Sequence, residues 1–220
     1  EIRLSLVGSE MCIRDRDDAN AIVAELGLSG FGPGGLDEAN DVVVSGGDVD
    51  AFEAAEIQDI AEYAASASDY EITDTASALI SAGDEVLNDA GVDIVTASDP
   101  SVNASIGGDL AGFTADVEFD VVDDANAVAA EVTGFNGAGD LDEANTVVVS
   151  GGDVDTSEAS AIQSISGYDG SASDYEITDD VSAVISAGNS VIENAGVSRV
   201  EVTNDADASE GVSLNAYNAN

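Results

Sequence analysis

The chain lacks the residues on which most catalytic chemistry depends. Its 220 residues contain no His, no Lys and no Trp, and only one Cys. Without His, the Ser-His-Asp and Cys-His arrangements of nucleophilic catalysis are excluded, and a zinc site has too few ligands. A carboxylate-based polysaccharide hydrolase needs only two acids, but in so acidic a chain some pair of acids is inevitable. We therefore expect no enzyme and no catalytic residues.

Positive charge is also scarce. Four Arg stand against 46 Asp and Glu, which gives a formal net charge of −42. Such a surface repels phosphate, so nucleic acid and anionic membranes are poor partners. It also repels itself, and we expect folding to improve in salt, since the screening length falls from about 10 Å at 0.1 M to about 3 Å at 1 M. The sequence contains no apolar run of about 18 residues that would span a membrane.

The first 16 residues differ in composition from the rest of the chain. They hold the only Cys, the only Met and three of the four Arg. Residues 5–16, SLVGSEMCIRDR, closely resemble a peptide translated from sequencing adapter at the ends of environmental assemblies. Residues 1–16 are therefore interpreted as a non-native leader. It follows that the missing signal peptide carries no information, and neither does Cys12.

The remaining chain is a tandem duplication. The run VVVSGGDVD begins at Val42 and again at Val147, and SASDYEITD begins at Ser66 and again at Ser171; both pairs are 105 residues apart. Residues 17–121 form the first copy, and residues 122–220 form the second, which ends inside the unit.

Strand and helix patterns alternate within each copy. Strand centres fall near Val43, Ile72, Ile94, Phe119 and Val148, at intervals of 22–29 residues. This spacing predicts an α/β fold of parallel strands joined by right-handed crossovers. Short, regular turns favour a tandem-repeat βα solenoid with short helices. Two small open α/β domains in tandem are the alternative. A further strand is predicted over residues 117–122.

Apolar stripes over residues 76–90 and 181–195 each predict one helix between strands. Gly91 and Gly196 follow these stripes. Helices commonly end at a left-handed glycine, so both are predicted to be helix-ending residues.

Acidic residues mark the helix starts. Asp50 with Glu53, and Asp155 with Glu158, match a capping box, in which an N-cap acceptor is followed three residues later by Glu. Oxygen donors at such spacing also suit calcium. The candidate calcium ligands are Asp48, Asp50, Glu53, Asp153, Asp155 and Glu158. The spacing matches neither an EF-hand nor a glycine-rich calcium repeat, so the structural and metal-binding interpretations both stay open. Other acids at strand-to-helix joints are Asp74, Asp99 and Asp179.

Residues 30–35, GFGPGG, match the dinucleotide pattern G-x-G-x-x-G. That site requires a preceding strand and a following helix, whereas this run follows a helix pattern. A turn is therefore predicted, and calcium is the only cofactor that the sequence suggests.

The repeated runs SDYEITDTASALISAG…NDAGVDIV and SDYEITDDVSAVISAG…ENAGVSRV resemble repeats of very large, acidic, Cys-free extracellular proteins of marine bacteria, cyanobacteria among them. The resemblance covers residues 17–220. It implies a structural segment of a secreted or cell-surface protein, of adhesion or surface-layer type. The implied partners are neighbouring repeats of the same chain, divalent cations and surface glycans. A calcium-dependent binding module, a polysaccharide hydrolase and a virion or phage fibre fragment remain as alternatives.

Overall fold

The structure is a computed structural model that describes residues 14–28, 41–134 and 141–204. Its strands are β1 (Arg14–Asp17), β2 (Asp41–Val49), β3 (Asp69–Asp74), β4 (Val92–Ala97), β5 (Val117–Glu118), β6 (Asp120–Asp123), β7 (Thr146–Val154), β8 (Asp174–Asp179) and β9 (Val197–Val202). Its helices are α1 (Ala19–Leu28), α2 (Ala51–Gln58), α3 (Ala76–Ala82), α4 (Asp84–Leu87), α5 (Ala104–Ala111), α6 (Ala125–Thr133), α7 (Thr156–Ser164), α8 (Val181–Ala187) and α9 (Asn189–Ile192). The run at residues 30–35 and the first 13 residues lie outside the described part.

The chain forms two compact units, one of Glu1–Asp74 with Ser81–Thr96 and the other of Thr75–Ile80 with Ala97–Asn220. In the first unit the strands lie in the order β1-β2-β3-β4, and in the second they lie in the order β6-β7-β8-β9. Both sheets are parallel, and spatial order follows chain order throughout. The predicted α/β class is therefore confirmed.

The duplicated sequence forms duplicated local geometry. The pairing of β2 with β3 and that of β7 with β8 share one register and one bulge, shifted by 105 residues. Each bulge falls at a glycine pair with positive φ, and these glycines are Gly46, Gly47, Gly151 and Gly152. Two adjacent residues with positive φ suit glycine, because other side chains are strained there. The VVVSGGDVD run is thus one long strand with a bulge.

β3 and β8 alternate between buried and more exposed residues, whereas Val42, Val43 and Val44 of β2 are all buried. In β8, Tyr175 and Ile177 are buried while Asp174 is exposed. The apolar face of α6 is entirely buried, and its residues are Ala125, Val128, Ala129 and Val132. The core is therefore aliphatic, with one fully buried tyrosine in each copy, Tyr70 and Tyr175.

The predicted helices over residues 76–90 and 181–195 are wrong in extent. Each divides into two short helices at a glycine in a left-handed conformation, Gly83 with φ 75° and Gly188 with φ 74°. Gly91 and Gly196 are not left-handed, so their predicted helix-ending role is also wrong. A Cβ at Gly91 would lie 2.2 Å from the Tyr63 hydroxyl oxygen, so this glycine makes room for a tyrosine.

Helix α5 was not predicted, and it contains the adjacent Gly107 and Gly108, which weaken a helix pattern. In the structure Gly107 is buried within the helix, and a Cβ there would lie 2.8 Å from Val121 Cγ2. Close packing therefore explains this glycine. The strand predicted over residues 117–122 divides at Phe119 into β5 and β6.

Residues 14–16 of the leader do take part in the fold. They form β1 together with Asp17 and pair in parallel with residues 41–44 of β2. Among the described residues, no helix is both long enough and apolar enough to cross a membrane.

Candidate functional site

Both predicted capping boxes are present in the structure. In the second copy, Asp155 Oδ1 accepts hydrogen bonds from the backbone N–H groups of Ser157 and Glu158, each at 2.8 Å. Glu158 Oε2 in turn accepts from the Asp155 backbone N–H at 3.0 Å. Asp50 and Glu53 make the same reciprocal pair at 2.8 and 3.1 Å. Four of the six candidate calcium ligands are thus helix caps, which satisfy N–H groups that a helix start leaves without partners.

The other two candidates, Asp48 and Asp153, are exposed residues on the strands before these helices. In sheet register Asp48 lies opposite Glu71, and Asp153 lies opposite Glu176. Within the described part of the chain, no group of three or more Asp, Glu, His or Cys side chains is arranged to hold a metal ion. Calcium binding by these six residues therefore stays a prediction.

A second set of acids, which we call the bridging acids, joins successive βα turns. A βα turn is one strand together with the helix that follows it. Each accepts the backbone N–H of the first residue of a helix that precedes it in the chain. The pairs, helix residue first, are Ala51–Asp74, Ala76–Asp99, Ala104–Asp123 and Thr156–Asp179, and Asn204 does the same for Val181. Their N···O distances run from 2.7 to 3.2 Å.

Asp179 shows how such a bridge is built. Its Oδ2 accepts from the Thr156 backbone N–H at 3.1 Å and from the Thr156 hydroxyl at 2.7 Å. Its Oδ1 accepts from the backbone N–H of Asp180, the N-cap of α8, at 2.7 Å. One carboxylate therefore joins the start of α7 to the start of α8. The helix N-terminus carries a partial positive charge that favours an anion at this position.

The hydrogen bond from Thr156 is the main cause of a pKa for Asp179 below its ordinary value, and partial desolvation opposes it. A lowered pKa in the folded state means that the ionised carboxylate stabilises the fold above the pKa of the unfolded chain. That contribution is lost as the pH falls through the folded-state pKa.

Replacing Asp179 with Ala is expected to lower the free energy of unfolding by about 1 kcal/mol, the usual cost of a lost cap. Asp179→Asn keeps an acceptor oxygen, as Asn204 does naturally, and should cost less. Urea unfolding at about pH 6 and about pH 3 checks the sign: the deficit of Asp179→Asn should shrink at the lower pH, because only the wild-type side chain takes up a proton as the pH falls. A deficit that grows on acidification would contradict this role.

Hydrogen-bonded tyrosines form a second duplicated cluster. Gln163 Nε2 donates to the Tyr175 hydroxyl at 2.7 Å and to the Val191 carbonyl at 3.0 Å. The Tyr168 hydroxyl donates to Asn194 Oδ1 at 3.1 Å. The first copy repeats this geometry with Gln58, Tyr70, Val86, Tyr63 and Asp89.

The tyrosine hydroxyls of both clusters are neutral hydrogen-bonding groups. Burial raises the pKa of Tyr63, Tyr70, Tyr168 and Tyr175, so all four stay neutral across the physiological range. Among the described residues, no buried side-chain nitrogen or oxygen lacks a hydrogen-bond partner. Each cluster ties a strand, a long helix and a short helix together.

One groove of about 340 Å³ lies on the exposed face of the second sheet. Its lining residues are Gly151, Gly152, Asp153, Asp174, Tyr175, Glu176 and Ser198. Arg199 lies beside Glu176 in register and pairs with it at 3.0 Å, and it also pairs with Glu201. It is the single Arg outside the leader. The groove is thus acidic, and it can attract cations and repel anions.

These features define a mixed α/β protein with two parallel sheets, in which the strand-to-helix acids are engaged in capping. No model of a protein family matches the chain, and no match is found among curated proteins or solved structures.

Proposed function

We propose that the chain is a non-catalytic structural repeat segment of a large secreted or cell-surface protein, of adhesion or surface-layer type. The observation that carries this proposal is the duplicated use of its polar residues. Capping boxes, bridging acids and tyrosine clusters recur between the copies, and each is engaged in holding elements together. Polar residues that join elements in both copies suit a repeated scaffold, in which each unit packs against its neighbour.

The same proposal includes a βα solenoid as the form of the array. Spatial strand order equals chain order in both sheets, so each connection advances by a single strand. Connections of one hand, which is the rule for parallel strands, then place the helices on one face. The bridging acids support this form, because each joins one βα turn to the next over about the length of one turn.

Equilibrium unfolding of chains with one, two and three copies tests the proposal. If each turn is stabilised by its neighbours, the free energy of unfolding and its dependence on urea both rise with every added copy. Copies that unfold independently, at the same urea midpoint regardless of their number, would contradict it and favour two small tandem domains.

A calcium-dependent binding module is the second candidate. The observation that favours it is the groove, where Asp153 and Glu176 lie opposite each other in register with Asp174 nearby. Like charges on adjacent strands repel one another. Arg199 offsets part of this repulsion at Glu176, and a bound cation would relieve the rest. The six sequence-predicted ligands overlap this groove only at Asp153.

Salt and calcium separate the two candidates. Raising NaCl from about 0.1 M to about 1 M is expected to raise the melting temperature substantially, since the repulsion of a −42 charge is screened. At high salt, about 5 mM CaCl2 should then add no more than an equal concentration of MgCl2. A shift specific to calcium that disappears in Asp153→Asn, but not in the capping variant Asp155→Asn, would instead support the binding module.

A further inference from the structure

We infer that the outer edge of β9 is a docking surface for a further copy of the same unit. The inference rests on the proposed repeat function and names the surface through which the next repeat would be held. Among the described residues, β9 pairs with β8 alone, in parallel register from Tyr175–Val197 to Asp179–Val202. The backbone groups on its other edge are a template for another strand.

Equivalent side chains in the two copies differ in burial at this surface. In the first copy Leu87, Val95 and Ala97 are 1%, 2% and 8% exposed. Their counterparts 105 residues later, at the end of the second copy, are Ile192, Val200 and Val202, and all three are partly exposed. All six residues are apolar. The second copy therefore has an apolar surface that is buried in the first copy and that the described residues of the second copy only partly bury.

The turn geometry around this surface is intact, so a local loss of structure does not explain the exposure. Asn204 holds the start of α8 as Asp99 holds the start of α3, at 2.8 and 2.7 Å. The tyrosine cluster beneath is complete as well, with Gln163 bonded to Tyr175 and to Val191. The two copies therefore have the same local fold here and differ in the burial of its apolar residues.

The occupant is identified by the repeat itself. A surface that is buried in one copy and partly exposed in the other, at a constant offset of 105 residues, fits a further copy of the same repeat. In repeat arrays each unit covers the apolar face of its neighbour. The contact would be apolar with backbone pairing, and it would strengthen with salt because both partners are acidic.

The test compares the present chain with an extended chain in which residues 1–204 are followed directly by residues 100–204, both carrying Cys12→Ser. Variants with a single cysteine, in place of Val200 or of Val95, are reacted with N-ethylmaleimide, a neutral reagent, in about 1 M NaCl. In the extended chain only the first of the two Val200 positions is replaced. In the present chain Val200→Cys should react about tenfold faster than Val95→Cys, and in the extended chain it should slow to about the Val95→Cys rate.

Ser198→Cys is the matched control and should react at the same rate in both chains, because Ser198 and its first-copy counterpart Asp93 are both exposed. Val202→Cys is the second probe if Val200→Cys fails to fold. An unchanged rate for both probes on extension, or rates already as low as that of Val95→Cys in the present chain, would overturn the docking surface.

The reaction rate of one cysteine reports on this edge of β9 alone. The docking surface and the proposed repeat function can therefore fail separately. Protection of Val200→Cys without a rise in the free energy of unfolding would overturn the repeat-array role while supporting the surface. A rise in that free energy without protection would do the reverse.

Discussion

Truncating Tyr175 to Ala is expected to lower the free energy of unfolding by about 3–5 kcal/mol, as for other buried aromatic residues. The side chain is 1% exposed and is among the largest that are fully buried. Its loss leaves a cavity between β8 and α7, and it removes the hydroxyl to which Gln163 donates at 2.7 Å. Urea unfolding at high salt, with circular dichroism as the probe, measures the change.

Tyr175→Phe is the control for the hydroxyl. It keeps the ring and should cost about 1–2 kcal/mol, the range for a buried donor that loses a partner. Gln163 retains its bond to the Val191 carbonyl, which limits the loss. Tyr70→Ala should match Tyr175→Ala, because Tyr70 is 0% exposed and bonded to Gln58 in the same way. A loss below about 1 kcal/mol for both alanine variants would show that the clusters are not part of the core.

Gly152→Ala is the second change with a large expected effect, a loss of about 3 kcal/mol or more. Gly152 has a φ of 93°, and a left-handed conformation costs another residue about 1–2 kcal/mol. Its Cβ would also lie 2.8 Å from the Ala125 backbone nitrogen, at the start of α6. Backbone there cannot swing aside as a side chain can, so overpacking adds about 1–3 kcal/mol.

Gly151→Ala separates the two causes. Gly151 has a φ of 83° but nothing within 4 Å of its Cβ position, so only the conformational cost applies. The first copy offers the same pair, with Gly47 close to the Ala19 backbone nitrogen at 2.9 Å and Gly46 in open space. Equal losses for Gly151→Ala and Gly152→Ala, measured by the same urea unfolding, would contradict the close approach of β7 to α6.

Local signals in the sequence predicted local structure correctly. The capping boxes of Asp50 with Glu53 and Asp155 with Glu158 span three residues, so a pattern alone identifies them. The parallel α/β class followed from strand spacing, because short intervals leave room for one helix and little else.

Signals that depend on distant partners were missed. Gly91 looked like a helix end because its constraint, the Tyr63 hydroxyl, lies 28 residues earlier in the chain. The bridging role of Asp179 depends on which helix start lies beside the strand end, and so on the sheet register. A signal was nevertheless present: in four of the five bridges, the acceptor stands 23 residues after the helix residue that it caps.

The candidate calcium ligands show how far sequence spacing reaches. Spacing groups Asp153, Asp155 and Glu158, and calcium binding by these residues stays a prediction. Asp153 lies on the exposed sheet face, whereas Asp155 and Glu158 face each other across the cap. The direction of the backbone decides which carboxylate oxygens lie close together, and sequence spacing alone does not give that direction.

The central claim, that the repeats stack as one continuous solenoid, is tested most directly by length. Small-angle X-ray scattering on chains of two, three and four copies, in about 1 M NaCl, measures the maximum dimension of each. Four strand centres, near Val43, Ile72, Ile94 and Phe119, fall within one 105-residue repeat. Adjacent strands are about 4.8 Å apart, so these four turns predict a constant increase of about 19 Å for each added copy. An increase of about 30 Å or more per copy, with the pair distances of separate globular domains, would contradict the solenoid.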